Sequence, residues 1–348
     1  MDERMEFRPD DFEMMGIDEK NFIDATYASQ PYWRDVLSRF SKNKGAVVGF
    51  VFIVLLIIMA IIGPHLNPYT YDEQNIANQN LAPRVSWLEK YGIFDGSETM
   101  RTASKVKVVN KYVKEGEETG LEKTYYWFGT DNLGRDLFTR VWTGTRISLY
   151  IALIAVLIDM VFGLSYGMIS GYFGGAVDNA MQRFSEILNS IPTLVIVTLL
   201  MLILRPGLAT ITFALMFTGW IGMSRIARAQ VLKIKEQEFV LASRTLGAKN
   251  FFIIFKEILP NIFGQIIIMS MFSIPNAIFT EAFLAFVGLG VPKPLASLGS
   301  LISDAYNAFT THPYMIVFPV IVLGLIMLSF NMLADGLRDA FDPKMKEM

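Results

Sequence analysis

Two carboxylates stand in or beside otherwise apolar stretches of the chain: Asp159 within Ile147–Gly171, and Glu281 just after Ile258–Thr280. An ionisable group in such a setting is costly unless it faces protein or water. Asp159 lies one helical turn before Gly163 and therefore points the same way, away from lipid. Its chemistry would be that of a proton relay or a contact to a transported solute. With no second ionisable group in its stretch, a structural hydrogen bond is the competing reading. For Glu281, lining a translocation path and serving as a satisfied structural carboxylate fit equally well.

Much other chemistry is excluded. The chain has no cysteine, which removes disulfides, thiolate catalysis and Cys-ligated metals. Two histidines, His65 and His312, are too few for a typical zinc site, so no metal is expected. No Gly-x-x-x-x-Gly-Lys-Ser/Thr run is present, so any nucleotide energy must come from another polypeptide. Gly-x-Ser-x-Gly, His-Glu-x-x-His and EF-hand patterns are also missing, and the chain is not expected to be an enzyme. A net charge of −2 gives no case for nucleic acid.

The elements that position these residues are membrane helices. The 348 residues are 52% hydrophobic and 18% charged, too apolar for a soluble chain of this length. A bilayer core of roughly 30 Å needs about 20 apolar residues in a helix. Six stretches qualify, predicting an all-α membrane protein: Ala46–Pro64, Ile147–Gly171, Leu188–Leu204, Pro206–Ser224, Ile258–Thr280 and Pro313–Ala334. Arg205-Pro206 reads as a tight turn, and the fifth stretch continues to Pro292 with a bend expected near Pro275. Gly163, Gly167, Gly171 and Gly175 recur every fourth residue, predicting a face on which another helix packs closely.

Six crossings place both termini on one side. Arg34, Arg39, Lys42 and Lys44 before the first stretch, and Arg225, Arg228, Lys233, Lys235, Arg244, Lys249 and Lys256 between the fourth and fifth, mark that side as cytoplasmic. Residues 1–30 read as an acidic cytoplasmic tail and residues 31–45 as an amphipathic helix, with Trp33, Val36, Leu37 and Phe40 on one face. Lying in the lipid interface and packing on another subunit both suit that helix. Residues 67–146 form an extracellular insertion between the first two crossings, where Lys105–Lys114 reads as a strand and a small hairpin with the aromatic run Lys123–Phe128 is expected. Residues 335–348 read as a cytoplasmic tail.

Between the fourth and fifth crossings, residues 225–257 carry a short helix through Leu246, a break at Gly247, and a second helix with Pro260 opening the next span. Phe239, Ala242, Ser243 and Leu246 make a partly apolar stripe on a helix too short to cross a membrane. Two readings fit: docking into a groove of a soluble partner, or merely covering the bundle.

This helix-Gly-helix-Leu-Pro order resembles the EAA loop of ABC importer permeases, and Glu238-Phe-Val-Leu-Ala-Ser-Arg-Thr-Leu-Gly-Ala resembles its form in the peptide and nickel branch. Four further segments are similar to that branch: Phe128-Gly-Thr-Asp-Asn-Leu-Gly-Arg-Asp136, Gly219-Trp-Ile-Gly-Met-Ser-Arg225, Phe279–Gly290 and Asn331–Pro343. Over residues 127–344 the chain resembles the C-type permeases of oligopeptide and dipeptide importers. It departs from the general pattern at Leu241-Ala242-Ser243, where Glu-Ala-Ala is usual, and at Glu257, where Ile or His is usual.

The resemblance implies a type I importer permease fold in the plasma membrane of a prokaryote, a peptide substrate, and a coupling surface made by Glu238, Phe239, Ala242, Arg244, Leu246 and Gly247. It also implies a paired B-type permease subunit, two cytoplasmic ABC ATPase subunits that carry ATP and Mg, and an external peptide-binding protein, with no cofactor on this chain. A nickel or other small-solute permease is the near alternative. An ion-coupled transporter using Asp159 and Glu281, and a membrane scaffold, are the distant ones.

Overall fold

The computed structural model describes residues 32–102, 105–113, 121 and 123–341, so the acidic tail expected over residues 1–30 lies outside the described residues. Helix α1 (Tyr32–Lys42) leads into α2 (Lys44–Ile62), whose start is capped by Asn43, its side chain accepting from the Ala46 amide at 3.1 Å. Trp33 meets Phe341 edge to face at 6.1 Å, so the helix also packs on the end of this chain's own last helix.

After α2 the chain forms the insertion, with one antiparallel hairpin, β1 (Ser97–Thr102) and β2 (Lys105–Asn110). The expected strand is there, but it pairs with the segment before it and not with the aromatic run after it. The run's rings are recruited elsewhere: Tyr126 is buried with Leu81 and Tyr112, and Phe128 stacks on Phe318 at 3.9 Å.

The second crossing begins ten residues before the apolar stretch does. Helix α3 runs Leu137–Ile158 from an N-cap at Asp136, which accepts from the Thr139 amide at 2.7 Å. Its first turns hold Thr139, Arg140, Thr143 and Thr145, all buried against protein, which lowers hydropathy without ending the helix. The last ten residues of the expected insertion, 137–146, are therefore helical. A wide π-helical turn, Asp159–Gly163, joins α3 to α4 (Leu164–Phe173).

The third stretch is two helices. Helix α5 (Gly175–Ser190) and α6 (Thr193–Leu204) meet at 78°. Pro192 forces Ile191 into an extended conformation (φ −82°, ψ 122°), which ends α5. Arg205 at φ 66°, Pro206 and Gly207 then separate α6 from α7 (Leu208–Ile234), which continues ten residues past the apolar stretch.

Helix α8 (Glu238–Thr245) is followed by Gly247 at φ 81°. Helical structure resumes at Asn250, so Pro260 stands inside the rod and does not open it. A π-helical stretch, Ile253–Ile258, precedes α9 (Leu259–Leu284), and its looser hydrogen bonding accommodates the amide that Pro260 lacks. Helix α9 passes through Pro275 and loses helical backbone only at Gly288 (φ 90°). Short α10 (Leu298–Tyr306) precedes α11 (Tyr314–Phe341), which extends seven residues beyond Ala334 into the expected tail.

Among the described residues, four helical stretches can cross a membrane by length and composition, or five if the bent pair α5 and α6 is one span; α7, rich in Thr and Gly, is not among them. The expectation of six is therefore met in part. Val141, Ile278, Leu298 and Ile326 form the main core between α3, α9, α10 and α11. On α2 only 28% of the most apolar window is buried, leaving an outward surface suited to lipid.

Candidate functional site

The glycine row of the second crossing lies against α7. A Cβ on Gly163 would stand 2.6 Å from the Trp220 carbonyl oxygen, one on Gly167 2.2 Å from that of Ser224, and one on Gly171 3.0 Å from that of Arg228. Only hydrogen fits at Gly163 and Gly167, and Gly171 is tight, so the two backbones approach closely. Gly175 does not continue the row: Gly174 (φ 64°) turns the chain first, and Gly175 opens α5 with nothing within 4 Å of its Cβ position.

Beyond that close approach three polar ties were not legible in the sequence. Arg228 of α7 grips Asp178 of α5 with two hydrogen bonds, Nε to Oδ1 at 2.6 Å and Nη2 to Oδ2 at 2.5 Å. Ser170 of α4 donates to the same carboxylate, and Lys235 donates to the Gly171 carbonyl at 2.9 Å. These partners are too far apart in the chain for any spacing rule to pair them.

Helix α8 sits at this end of the bundle. Val240 is fully buried among Tyr172, Ile234, Ile253, Ile254 and Ile258 and fixes the helix in place. Tyr172 also donates from its hydroxyl to Asn250 Oδ1 at 2.9 Å, and the Arg244 guanidinium stands 5.4 Å from the Tyr172 ring centre. Glu238, Phe239, Ala242, Arg244, Leu246 and Gly247 are all exposed, Leu246 at 87%; Glu238 and Ala242 point away from Val240, while Arg244 stands one turn from it on the seated side. The Ala248 amide donates to the Ser243 carbonyl at 3.1 Å, and Gly247 supplies the left-handed turn this closure needs. Val240 is the residue sequence reasoning passed over; within the apolar run Phe239-Val240-Leu241 residue type alone does not say which side chain is buried.

A cavity of about 450 Å³ opens between α3, α6, α7 and α9. Asp159 lines it together with Thr218, Ser273, Asn276 and Thr280. The Asp159 carboxylate lies over Gly219, its Oδ1 3.0 Å from where a Cβ would stand. Among the described residues it has no ion-pair partner. Glu281 does not share the cavity: it is fully buried and accepts from the Ser148 hydroxyl at 3.1 Å, while the Leu298 amide donates to that hydroxyl at 3.2 Å. Only one Glu281 oxygen is hydrogen-bonded, Oε1 having no partner, and of the two carboxylates Asp159 alone lines the cavity. Among the described residues no group of three His, Asp or Glu could hold a metal.

Residues 163–347 match the family model described as the binding-protein-dependent transport system inner membrane component. Residues 31–83 match the N-terminal transmembrane domain of oligopeptide transport permease C. An oligopeptide transport system permease protein of Bacillus subtilis is 42% identical over 315 residues, 90% of each chain. A dipeptide transport system permease protein of the same organism is 40% identical, covering 91% of this chain and 88% of its own. An oligopeptide permease of Escherichia coli is 36% identical over 90% of this chain and 91% of its own. An inward-facing structure of the MetNI methionine ABC transporter superposes with a TM-score of 0.50 at 18% identity, over 58% of this chain and 97% of that chain, a likeness of fold.

Proposed function

The chain belongs to the binding-protein-dependent transport inner membrane component family, and from that premise we propose that it is the C-type permease subunit of an ATP-driven peptide importer. It is a multi-pass membrane protein and a pore subunit, with no reaction of its own. The pore is completed by a B-type permease subunit, substrate arrives on an external binding protein, and two cytoplasmic ATPases hold ATP and Mg. Six crossings follow when α5 with α6 counts as one bent span and α7 as another, which sets both termini and α8 in the cytoplasm and residues 67–136 outside. The basic residues around α8 support that orientation.

The observation that carries coupling is the two-sidedness of α8. Val240 anchors one side, while Leu246 projects into open space on the other, an apolar surface held rigidly for a partner to cover. The motion of an ATPase gripping that side passes through Val240 and Tyr172 into α4, α7 and the rod that begins at Asn250. Alternating access follows as these helices tilt around the cavity at Asp159.

Ala242→Arg or Gly247→Asp is expected to abolish ATP-driven peptide uptake in reconstituted vesicles while membrane insertion and subunit assembly persist. Normal uptake by the assembled variant would overturn the reading. Uptake by the parent importer should be vanadate-sensitive and survive an uncoupler at constant ATP.

A further inference from the structure

Within the insertion, Val85 and Phe94 close a small loop, the Val85 amide donating to the Phe94 carbonyl at 2.9 Å, and an isolated bridge pairs Arg84 with Asp95 just outside it. The loop reads Ser-Trp-Leu-Glu-Lys-Tyr-Gly-Ile-Phe over residues 86–94. Its large side chains point outward: Trp87 is 69% exposed, Tyr91 77% and Ile93 53%. Its one carboxylate is turned inward, Glu89 accepting from Arg84 Nε at 3.0 Å and from the Tyr125 hydroxyl at 3.3 Å. Lys90 remains exposed on the outer side. The loop therefore offers aromatic rings and a cation, with its acid withdrawn.

The loop's position says what that surface meets. Phe94 packs on Phe318 at 6.0 Å, and Phe318 lies in the second turn of α11, a helix apolar enough to cross the membrane. Phe128 stacks on the same ring and fixes it. From there the exposed apolar side of α11 continues through Val317, Val320 and Ile321. An aromatic loop seated where a span leaves the hydrocarbon sits at headgroup depth, where Trp and Tyr partition best and a lysine meets lipid phosphate.

We propose that loop 86–94 is a membrane-surface anchor, with Trp87, Tyr91 and Ile93 lying in the headgroup layer of the outer leaflet and Lys90 among its phosphates. The choice of leaflet rests on the topology proposed above; the depth does not. The anchor would hold the insertion flat against the bilayer beside α11, fixing its height over the pore entrance.

The absence of natural cysteine in this chain makes a direct test possible. Trp87→Cys, Tyr91→Cys and Thr99→Cys, the last on the exposed hairpin, are each spin-labelled in the assembled importer in lipid nanodiscs, with label on other subunits subtracted using the parent. Retained uptake by the labelled protein certifies its fold. The ratio of collisions with oxygen to collisions with a water-soluble nickel chelate is expected to be several-fold higher at positions 87 and 91 than at 99. A ratio equal to that at 99 would place the loop in water and overturn the proposal. Low collision with both reagents would mean that protein covers the loop, and would also overturn it. Labelling of Thr99→Cys in intact cells by an impermeant thiol reagent tests the leaflet separately: its failure would sink the topology and leave the depth standing.

Discussion

Asp178 and Arg228, fifty positions apart, meet in a two-pronged ion pair that ties α5 to α7 beside the seat of α8. The carboxylate is mostly buried and the guanidinium about one-third exposed. Asp178→Ala removes both bonds and the acceptor for Ser170, at an expected cost of about 1–3 kcal/mol. A lower thermal midpoint of the detergent-purified importer checks this. Asp178→Glu should recover part of the loss, because the charge is kept and the fork geometry is not.

Gly167 permits the tightest of the three approaches along α4 and α7. Gly167→Ala would bring a methyl to 2.2 Å from the Ser224 carbonyl oxygen, backbone that cannot swing away, so the helices must part. The expected cost is roughly 1–3 kcal/mol, and Gly167→Leu should prevent assembly. Gly324→Ala on α11, where nothing stands within 4 Å, is the control and should match or exceed the parent by up to about 1 kcal/mol. Size-exclusion profiles after heating distinguish the three.

Val240 and Leu246 separate seating from docking. Val240→Ala opens space in a filled apolar site and should cost roughly 1–3 kcal/mol, lowering both stability and uptake. Leu246→Ser touches an open surface, so the thermal midpoint should stay within about 0.5 kcal/mol of parent while uptake falls. Paired measurements of melting and of uptake per assembled complex read the difference. Equal melting losses for the two would contradict it.

Arg140 joins the insertion to the membrane helices. It is 1% exposed, donates to the Tyr71 carbonyl at 3.0 Å and the Pro294 carbonyl at 3.4 Å, and lies 3.6 Å from Asp131. Arg140→Ala is expected to cost about 2–4 kcal/mol. Limited proteolysis should then cut within residues 67–136 faster than between helices. Arg140→Lys keeps the charge, but a single ammonium cannot meet the carbonyls and Asp131 as Nη1 and Nε do, so the variant should fall between.

What could be read from the chain alone was whatever is local. The glycines at 163, 167 and 171 share a face because helical geometry requires it, and Gly247 marks a break because glycine readily takes the left-handed conformation that ends a helix. The start of α3 was hidden because Thr139, Arg140 and Thr145 are polar yet buried against protein, which hydropathy alone cannot register. Helix α5 was missed for a similar reason: Asp178, Gln182, Arg183 and Glu186 dilute its apolar face. Likewise the strand at Lys105 declared itself by alternation, but its partner was a matter of which neighbour tertiary packing left free. Asp159 and Glu281 looked alike in sequence; only the fold distinguishes a cavity wall from a buried bond to Ser148.

The helical stretch Asn250–Leu289 is 40 residues long, about 60 Å at about 1.5 Å per residue. Hydrocarbon roughly 30 Å thick embraces only half of it. One end abuts α8 and the other reaches the turn at Gly288 on the far side, so a tilt of about 5° about the bilayer midplane would swing the tips in opposite directions by roughly 2–3 Å each. Under the alternating access proposed above, a single pivoted beam would synchronise the two mouths of the pore, one narrowing as the other widens.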